Sequence, residues 1–142
     1  MTLSTSIHVV AHATEDIQKI ITKMHDVFLI PTEKFLISKA QGHWGNEISV
    51  IGAECDHNES SALLERIISR LKIGEKNFLL GSISNSFDEK NNFYIRLNKQ
   101  SLCKGIISLS ERDSIRIKFN PIKEFNQNNK FRDYVINLFT RK

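Results

Sequence analysis

Apolar residues recur along the chain at spacings that change from one segment to the next. Residues 6–11 form a β-rich run, which predicts a strand. After this run, apolar residues return every three or four positions, at Ile17, Ile20, Ile21, Met24, Val27 and Phe28. That spacing predicts an amphipathic helix. We expect Thr14 to cap this helix, because a threonine side chain can accept a hydrogen bond from the first turn.

Two more β-rich runs, residues 34–41 and 47–55, are separated by a short segment that contains two glycines. This arrangement predicts a hairpin. A second helical pattern follows, with apolar residues at Leu63, Leu64, Ile67, Ile68 and Leu71. Residues 75–90 fit either a helix or a loop, since the apolar run at 78–80 suits both.

The C-terminal half predicts three strands and a final helix. Residues 93–98 and 114–119 alternate between apolar and polar side chains, as strands with one buried face do. Residues 106–109 are predicted to form another short strand, and we expect Pro121 to end the last one. A helical pattern covers about residues 128–141.

Together these elements predict an α+β fold. We expect a single two-layer domain over residues 1–142, with a mixed or mostly antiparallel sheet and helices packed on one face. No run of 18 apolar residues and no secretory signal are present, so we expect a cytoplasmic protein with no membrane partner. The sequence leaves the oligomeric state open.

Charge divides the chain into an acidic and a basic half. Residues 1–71 hold 6 Lys and Arg against 9 Asp and Glu, whereas residues 72–142 hold 14 against 7. The basic half favours a polyanionic partner such as nucleic acid, because Lys and Arg release counterions when they meet phosphates. A solvated surface without a partner is the alternative.

Motifs for catalysis are absent from the sequence. It contains no glycine-rich phosphate loop and no serine-hydrolase or zinc-protease signature. His12, Asp16 and His43 are the candidates for a metal or acid–base cluster, provided that the fold brings them together. Otherwise they are ordinary helix-end and loop residues. The leading interpretation is that the chain has no catalytic residues, no metal and no cofactor.

The strand pattern supports nucleic-acid binding more strongly than it supports catalysis. It places Tyr94, Arg96, Arg116 and Lys118 on the polar faces of two strands, and Lys99 follows the first strand. If those strands share a sheet, an aromatic ring and several cations lie on one open surface. Such sheets bind RNA by stacking rings on unpaired bases and holding phosphates with cations. We therefore predict these five residues as RNA-binding.

His43 and Trp44 lie in the hairpin loop between the two glycines. An exposed tryptophan there would stack on a base, so we add both residues to the predicted RNA-binding set. The alternative is that the ring of Trp44 folds back as a plug of the core.

Three short stretches occur in order along the chain: HATED at residues 12–16, GHWGN at 42–46 and YIRLNKQ at 94–100. Together with Asp113 and the following strand, they make the chain resemble an archaeal family described as RNA-binding proteins and predicted exosome subunits. The resemblance covers about residues 6–122. The family pattern falls on His12, Thr14, Glu15, Asp16, Gly42, His43, Gly45, Asn46, Arg96, Lys99 and Gln100.

The resemblance implies a fold like that of the large-subunit ribosomal protein that binds the small ribosomal RNA, and a role connected with RNA. It brings no catalytic residues. The chain departs from the family pattern at Ser84, Asn85 and Ser86, where the resemblance implies an arginine. The loss of a cation there implies weaker or differently placed RNA binding.

The leading hypothesis is a non-catalytic RNA-binding protein that assists RNA processing or degradation. Its expected partners are RNA and, by resemblance, the exosome or other RNA-processing proteins. Two alternatives stay open: a small enzyme or metal-binding protein centred on His12, Asp16 and His43, and a scaffold that binds other proteins through an exposed sheet face.

Overall fold

The strands of the computed structural model, which describes residues 2–41 and 45–140, form a five-stranded sheet. They are β1 (Thr2–His12), β2 (Leu36–Gln41), β3 (Glu47–Cys55), β4 (Phe93–Asn98) and β5 (Ser114–Ile122). The strand order is β2-β3-β1-β5-β4, and every neighbouring pair is antiparallel. The predicted α+β fold is confirmed, and of the two sheet types left open the antiparallel one is correct.

Five α-helices of the described residues pack against the sheet. They are α1 (Ile17–Phe28), α2 (His57–Arg70), α3 (Ile73–Gly81), α4 (Lys99–Cys103) and α5 (Lys130–Thr140). The apolar stripes of α1, α2 and α5 are buried, which is why these three segments fold as amphipathic helices. In the part of the chain that the structure describes, no helix has the length and apolarity needed to cross a bilayer.

Alternation along the strands separates the sheet into a buried and an open face. In β1, Ile7 and Val9 are buried beneath the helices, whereas Ser6 and His8 are exposed. The same alternation runs through β4 and β5, because successive side chains of a strand point to opposite faces. The helices therefore leave the polar face of these strands uncovered.

The predicted N-cap of α1 and the predicted end of β5 are wrong. The N-cap of α1 is Asp16 and not Thr14: an Asp16 carboxylate oxygen accepts a hydrogen bond from the Lys19 backbone N–H at 3.1 Å. Pro121 does not end β5, which continues to Ile122. Because β4 begins opposite Phe119 and pairs with no later residue of β5, Pro121 has a neighbouring strand on one side only, a position that tolerates a missing N–H.

The strand predicted at residues 106–109 is reduced to a single bridge, between Leu109 and Leu97 of β4. The short helix α4 comes before this segment, and the Asn98 side chain caps it by accepting from the Ser101 N–H at 2.8 Å. The chain then returns along the outer edge of β4, where Ser110 donates its backbone N–H to the Arg96 carbonyl at 3.0 Å.

Candidate nucleic-acid interface

The open face of β1, β5 and β4 carries two cross-strand rows of polar side chains. Residues paired across an antiparallel sheet share a face, so the pairing register defines each row. The rows are Ser6, Lys118 and Tyr94, and next to it His8, Arg116 and Arg96. The structure therefore brings together four of the residues that the sequence predicted: Tyr94, Arg96, Arg116 and Lys118.

A groove of about 1260 Å³ runs over these rows. Its wall beside β4 is built from α3, the turn that follows α3, and the segment around Ser110. Glu75 of α3 holds this wall together: one carboxylate oxygen accepts from the Ser108 hydroxyl at 3.1 Å and from the Leu109 N–H at 2.7 Å. Residues 75–90, which the sequence left open, thus form a helix and a turn that convert a sheet face into a groove.

Among the described residues, three cations line the groove: Arg96, Arg116 and Lys118. Arg96 and Arg116 are exposed, and Lys118 is half-buried. Glu111 is the one carboxylate among the described lining residues. The groove therefore has an excess of positive charge, and arginines in it can donate paired hydrogen bonds to phosphate oxygens.

In the part of the chain that the structure describes, two exposed aromatic side chains also line the groove. Phe78 of α3 is 69% exposed and Tyr94 of β4 is 42% exposed. The Lys118 ammonium nitrogen lies 6.0 Å from the centroid of the Tyr94 ring. The Tyr94 hydroxyl donates a hydrogen bond to Asp88 at 3.0 Å, which fixes the far end of the ring.

Asp88 is the anchor of that ring and of the turn before β4. Its carboxylate accepts from the backbone N–H groups of Lys90 and Asn92, from the Asn92 amide and from the Tyr94 hydroxyl. Desolvation raises the pKa of Asp88, but these four hydrogen bonds to the carboxylate outweigh it, so that the pKa lies below its ordinary value. The pKa of Tyr94 is raised by desolvation and by its bond to Asp88.

The prediction that Lys99 belongs to this cationic surface is wrong. Its side chain is 1% exposed, and its ammonium nitrogen lies 2.7 Å from Glu15 and 2.8 Å from Asp113. It also donates to the Val10 carbonyl at 2.8 Å. A buried ammonium needs partners of this kind, and Lys99 therefore joins α4, β1 and two loops within the fold.

The metal hypothesis names His12, Asp16 and His43, but the structure brings a different set of acidic residues near His12. Asp16 caps α1, and His43 lies outside the described residues. His12 instead lies near Glu15 and Asp113, with possible ligand atoms within 4.8 Å of one another. The Lys99 ammonium already contacts both of these carboxylates, so this group fits an ion pair inside the fold better than a divalent cation.

The sequence interpretation missed His8 and Phe78, both of which line the groove. His8 occupies a polar position of β1 and could have been found from the same alternation that identified Arg96. Nothing in the sequence indicated that Phe78 is exposed in a groove, because the pattern of residues 75–90 fits both a helix and a loop. His43 and Trp44 lie outside the described residues, so their predicted role stays a prediction.

The stretch in which the resemblance implies an arginine also falls at this groove. Ser82, Asn85 and Ser86 line its wall. The departure from the family pattern, at Asn85 and Ser86, therefore lies in the wall of the groove.

Comparison with known proteins identifies a family and a shared fold. The model of the family described as RNA binding matches residues 4–120. The chain is 29% identical over 123 residues to an RNA-binding protein of Pyrococcus abyssi, covering 80% of both chains. It is 30% identical over 137 residues to an uncharacterized protein of Methanocaldococcus jannaschii, covering 89% of both.

Solved structures share the fold. A crystal structure of a protein from Archaeoglobus fulgidus superposes with a TM-score of 0.78 at 24% identity, covering 97% of this chain and 99% of that one. A protein from Sulfolobus solfataricus gives a TM-score of 0.72 at 24% identity, covering 93% and 96%. At this level of identity the likeness concerns the fold alone.

Proposed function

The chain belongs to the family described as RNA binding, and we propose that it binds RNA in the groove over β1, β5 and β4. The observation that carries this proposal is the register of β4 and β5, which sets Arg96 opposite Arg116 and Tyr94 opposite Lys118. Cations and an aromatic ring thus share one open surface. Phosphate oxygens would meet the cations, and these contacts position RNA without reading its sequence.

The proposal extends to a non-catalytic, cytoplasmic protein that assists RNA processing or degradation, with the exosome as a candidate partner. The family resemblance and the absence of catalytic motifs in the sequence support this extension. The named relative from Pyrococcus abyssi is an RNA-binding protein, which supports RNA as the partner. Likeness to the ribosomal protein that binds ribosomal RNA stays a prediction of the resemblance.

The test is a titration of a fluorescent RNA strand with the purified protein at several salt concentrations. For single strands the slope of log affinity against log salt is about −0.7 per neutralised phosphate, so three contacts correspond to about −2. Separate Arg96→Gln, Arg116→Gln and Lys118→Gln variants should each make the slope shallower by about 0.7.

A gain-of-function variant guards against loss of binding through unfolding. Asn85 is exposed in the groove wall, so Asn85→Arg adds a cation there and should steepen the slope by about 0.7. Lys19→Gln removes an exposed cation from α1, on the other side of the sheet, and serves as the matched control. Equal effects of Lys19→Gln and the groove variants would contradict the proposal.

A further inference from the structure

Resting on the proposed function, we infer that the groove takes single-stranded RNA and holds an unpaired base against Phe78 and Tyr94. This assigns a substrate class to the groove and a role in base binding to Phe78, which lies on a different element from the cations.

Exposure of aromatic side chains is concentrated in this groove. Among the described residues, Phe78 and Tyr94 are the aromatic side chains that are more than a third exposed, and both line it. Phe87, Phe119 and Phe125 instead form a buried cluster with Phe93 and Phe131. A large apolar side chain is normally buried, whereas an exposed ring beside cations is the arrangement on which nucleic-acid bases stack.

The cations are placed to hold the phosphates of the same nucleotides. Tyr94 and Arg96 are two positions apart on one face of β4, which separates them by about 7 Å along the strand. Lys118 and Arg116 lie opposite them on β5. A base stacked on the Tyr94 ring therefore has one neighbouring cation along the strand, Arg96, and one across it, Lys118.

The geometry favours a single strand over a duplex. Bases in an A-form helix are stacked on one another, and its accessible groove presents 2′-hydroxyls and base edges but no open base faces, so that aromatic rings would find nothing to stack on in a duplex. The volume of about 1260 Å³ exceeds the 300–1,000 Å³ usual for a single small ligand. The groove therefore has room for more than one nucleotide.

The experiment compares three probes on the full chain: a short oligouridine strand, the same strand annealed to oligoadenosine, and an abasic ribose-phosphate strand of equal length. The variant is Phe78→Ala. Its matched control is Ile73→Ala, which removes a 72% exposed side chain from the same helix outside the groove. Because both side chains are exposed, neither change should disturb the fold.

We expect Phe78→Ala to weaken binding of oligouridine by about five- to a hundredfold without changing the salt slope. Binding of the abasic strand and of the duplex should stay as in the unsubstituted protein, since neither offers a free base. Ile73→Ala should have no effect on any probe.

The failures of the two proposals are distinguishable. Salt-dependent binding of oligouridine that is as strong in Phe78→Ala as in Ile73→Ala would overturn the stacking inference and leave RNA binding intact. Loss of affinity for the abasic strand in Phe78→Ala would overturn the stacking inference as well. An absence of salt-dependent binding to every probe would overturn the proposed function itself.

Discussion

Arg96 of β4 lies directly opposite Arg116 of β5, with both guanidinium groups exposed on the open face of the sheet. Like charges in opposite positions of an antiparallel pair destabilise it. In the described contacts, no carboxylate forms an ion pair with either arginine. The two arginines therefore repel each other across the strand pair. A bound phosphate would reduce this repulsion.

Removing one of the two charges should stabilise the protein. We expect Arg96→Gln to raise the free energy of unfolding by about 0.2–1 kcal/mol while RNA affinity falls. Urea unfolding measures the first effect and RNA titration the second. Arg116→Gln should act in the same direction, and the double variant should gain less than the sum because the two sites interact. A loss of stability in both single variants would show that the arginines support the sheet.

Lys99 should be required for stability and not for phosphate binding. Lys99→Met leaves Glu15 and Asp113 without their shared ammonium partner. Breaking a buried pair costs about 3–5 kcal/mol, and since Asp113 is 49% exposed we expect about 2 kcal/mol here. Urea unfolding gives this value. The salt slope of RNA binding should remain that of the unsubstituted protein. A shallower slope would show that Lys99 contacts phosphate.

Helix α1 should respond to Asp16 and not to Thr14. Asp16→Ala removes the side chain that accepts the Lys19 N–H, and loss of an N-cap costs about 1 kcal/mol. Thr14→Ala should change the free energy of unfolding by much less. Thermal or urea unfolding of the two variants side by side decides the matter, and the reverse order of effects would refute this capping assignment.

Stability should fall in acid partly through Asp88. Because its pKa is lowered in the folded protein, the carboxylate stabilises the fold above the unfolded value of about 4. This contribution is lost as the pH falls through the lower, folded value. The urea midpoint of Asp88→Asn should therefore be lower at neutral pH but less sensitive to pH below about 4. Parallel curves for the two proteins would exclude this role.

The two cysteines should differ in reactivity. Cys55 is buried, and desolvation, followed by the nearby Glu59 carboxylate, raises the pKa of its thiol to about 11. Since the thiolate is the reactive form, Cys55 should resist a thiol reagent in the native protein, whereas the half-buried Cys103 reacts first. Labelling at neutral pH, followed by mass spectrometry of peptides, should find the label on Cys103. Rapid labelling of both would contradict this expectation.

Local pattern was sufficient for much of the fold and for the centre of the groove. Alternation along residues 93–98 and 114–119 placed Tyr94, Arg96, Arg116 and Lys118 on polar faces, because side-chain direction in a strand follows from a period of two. Helical spacing likewise identified α1, α2 and α5 from their apolar stripes. These are properties of neighbouring residues, and the sequence contains them directly.

Pairing and burial were decided by contacts between distant parts of the chain. Strand order and register set Arg96 beside Arg116, and neither is encoded in the period of one strand. Lys99 has the composition of a surface cation, yet it turns inward because Glu15 and Asp113, far away in sequence, converge on it. Phe78 lines the groove because α3 lies beside β4, where Glu75 accepts a hydrogen bond from the Leu109 N–H. A side chain's neighbours across the fold determine its role, and only the tertiary structure supplies them.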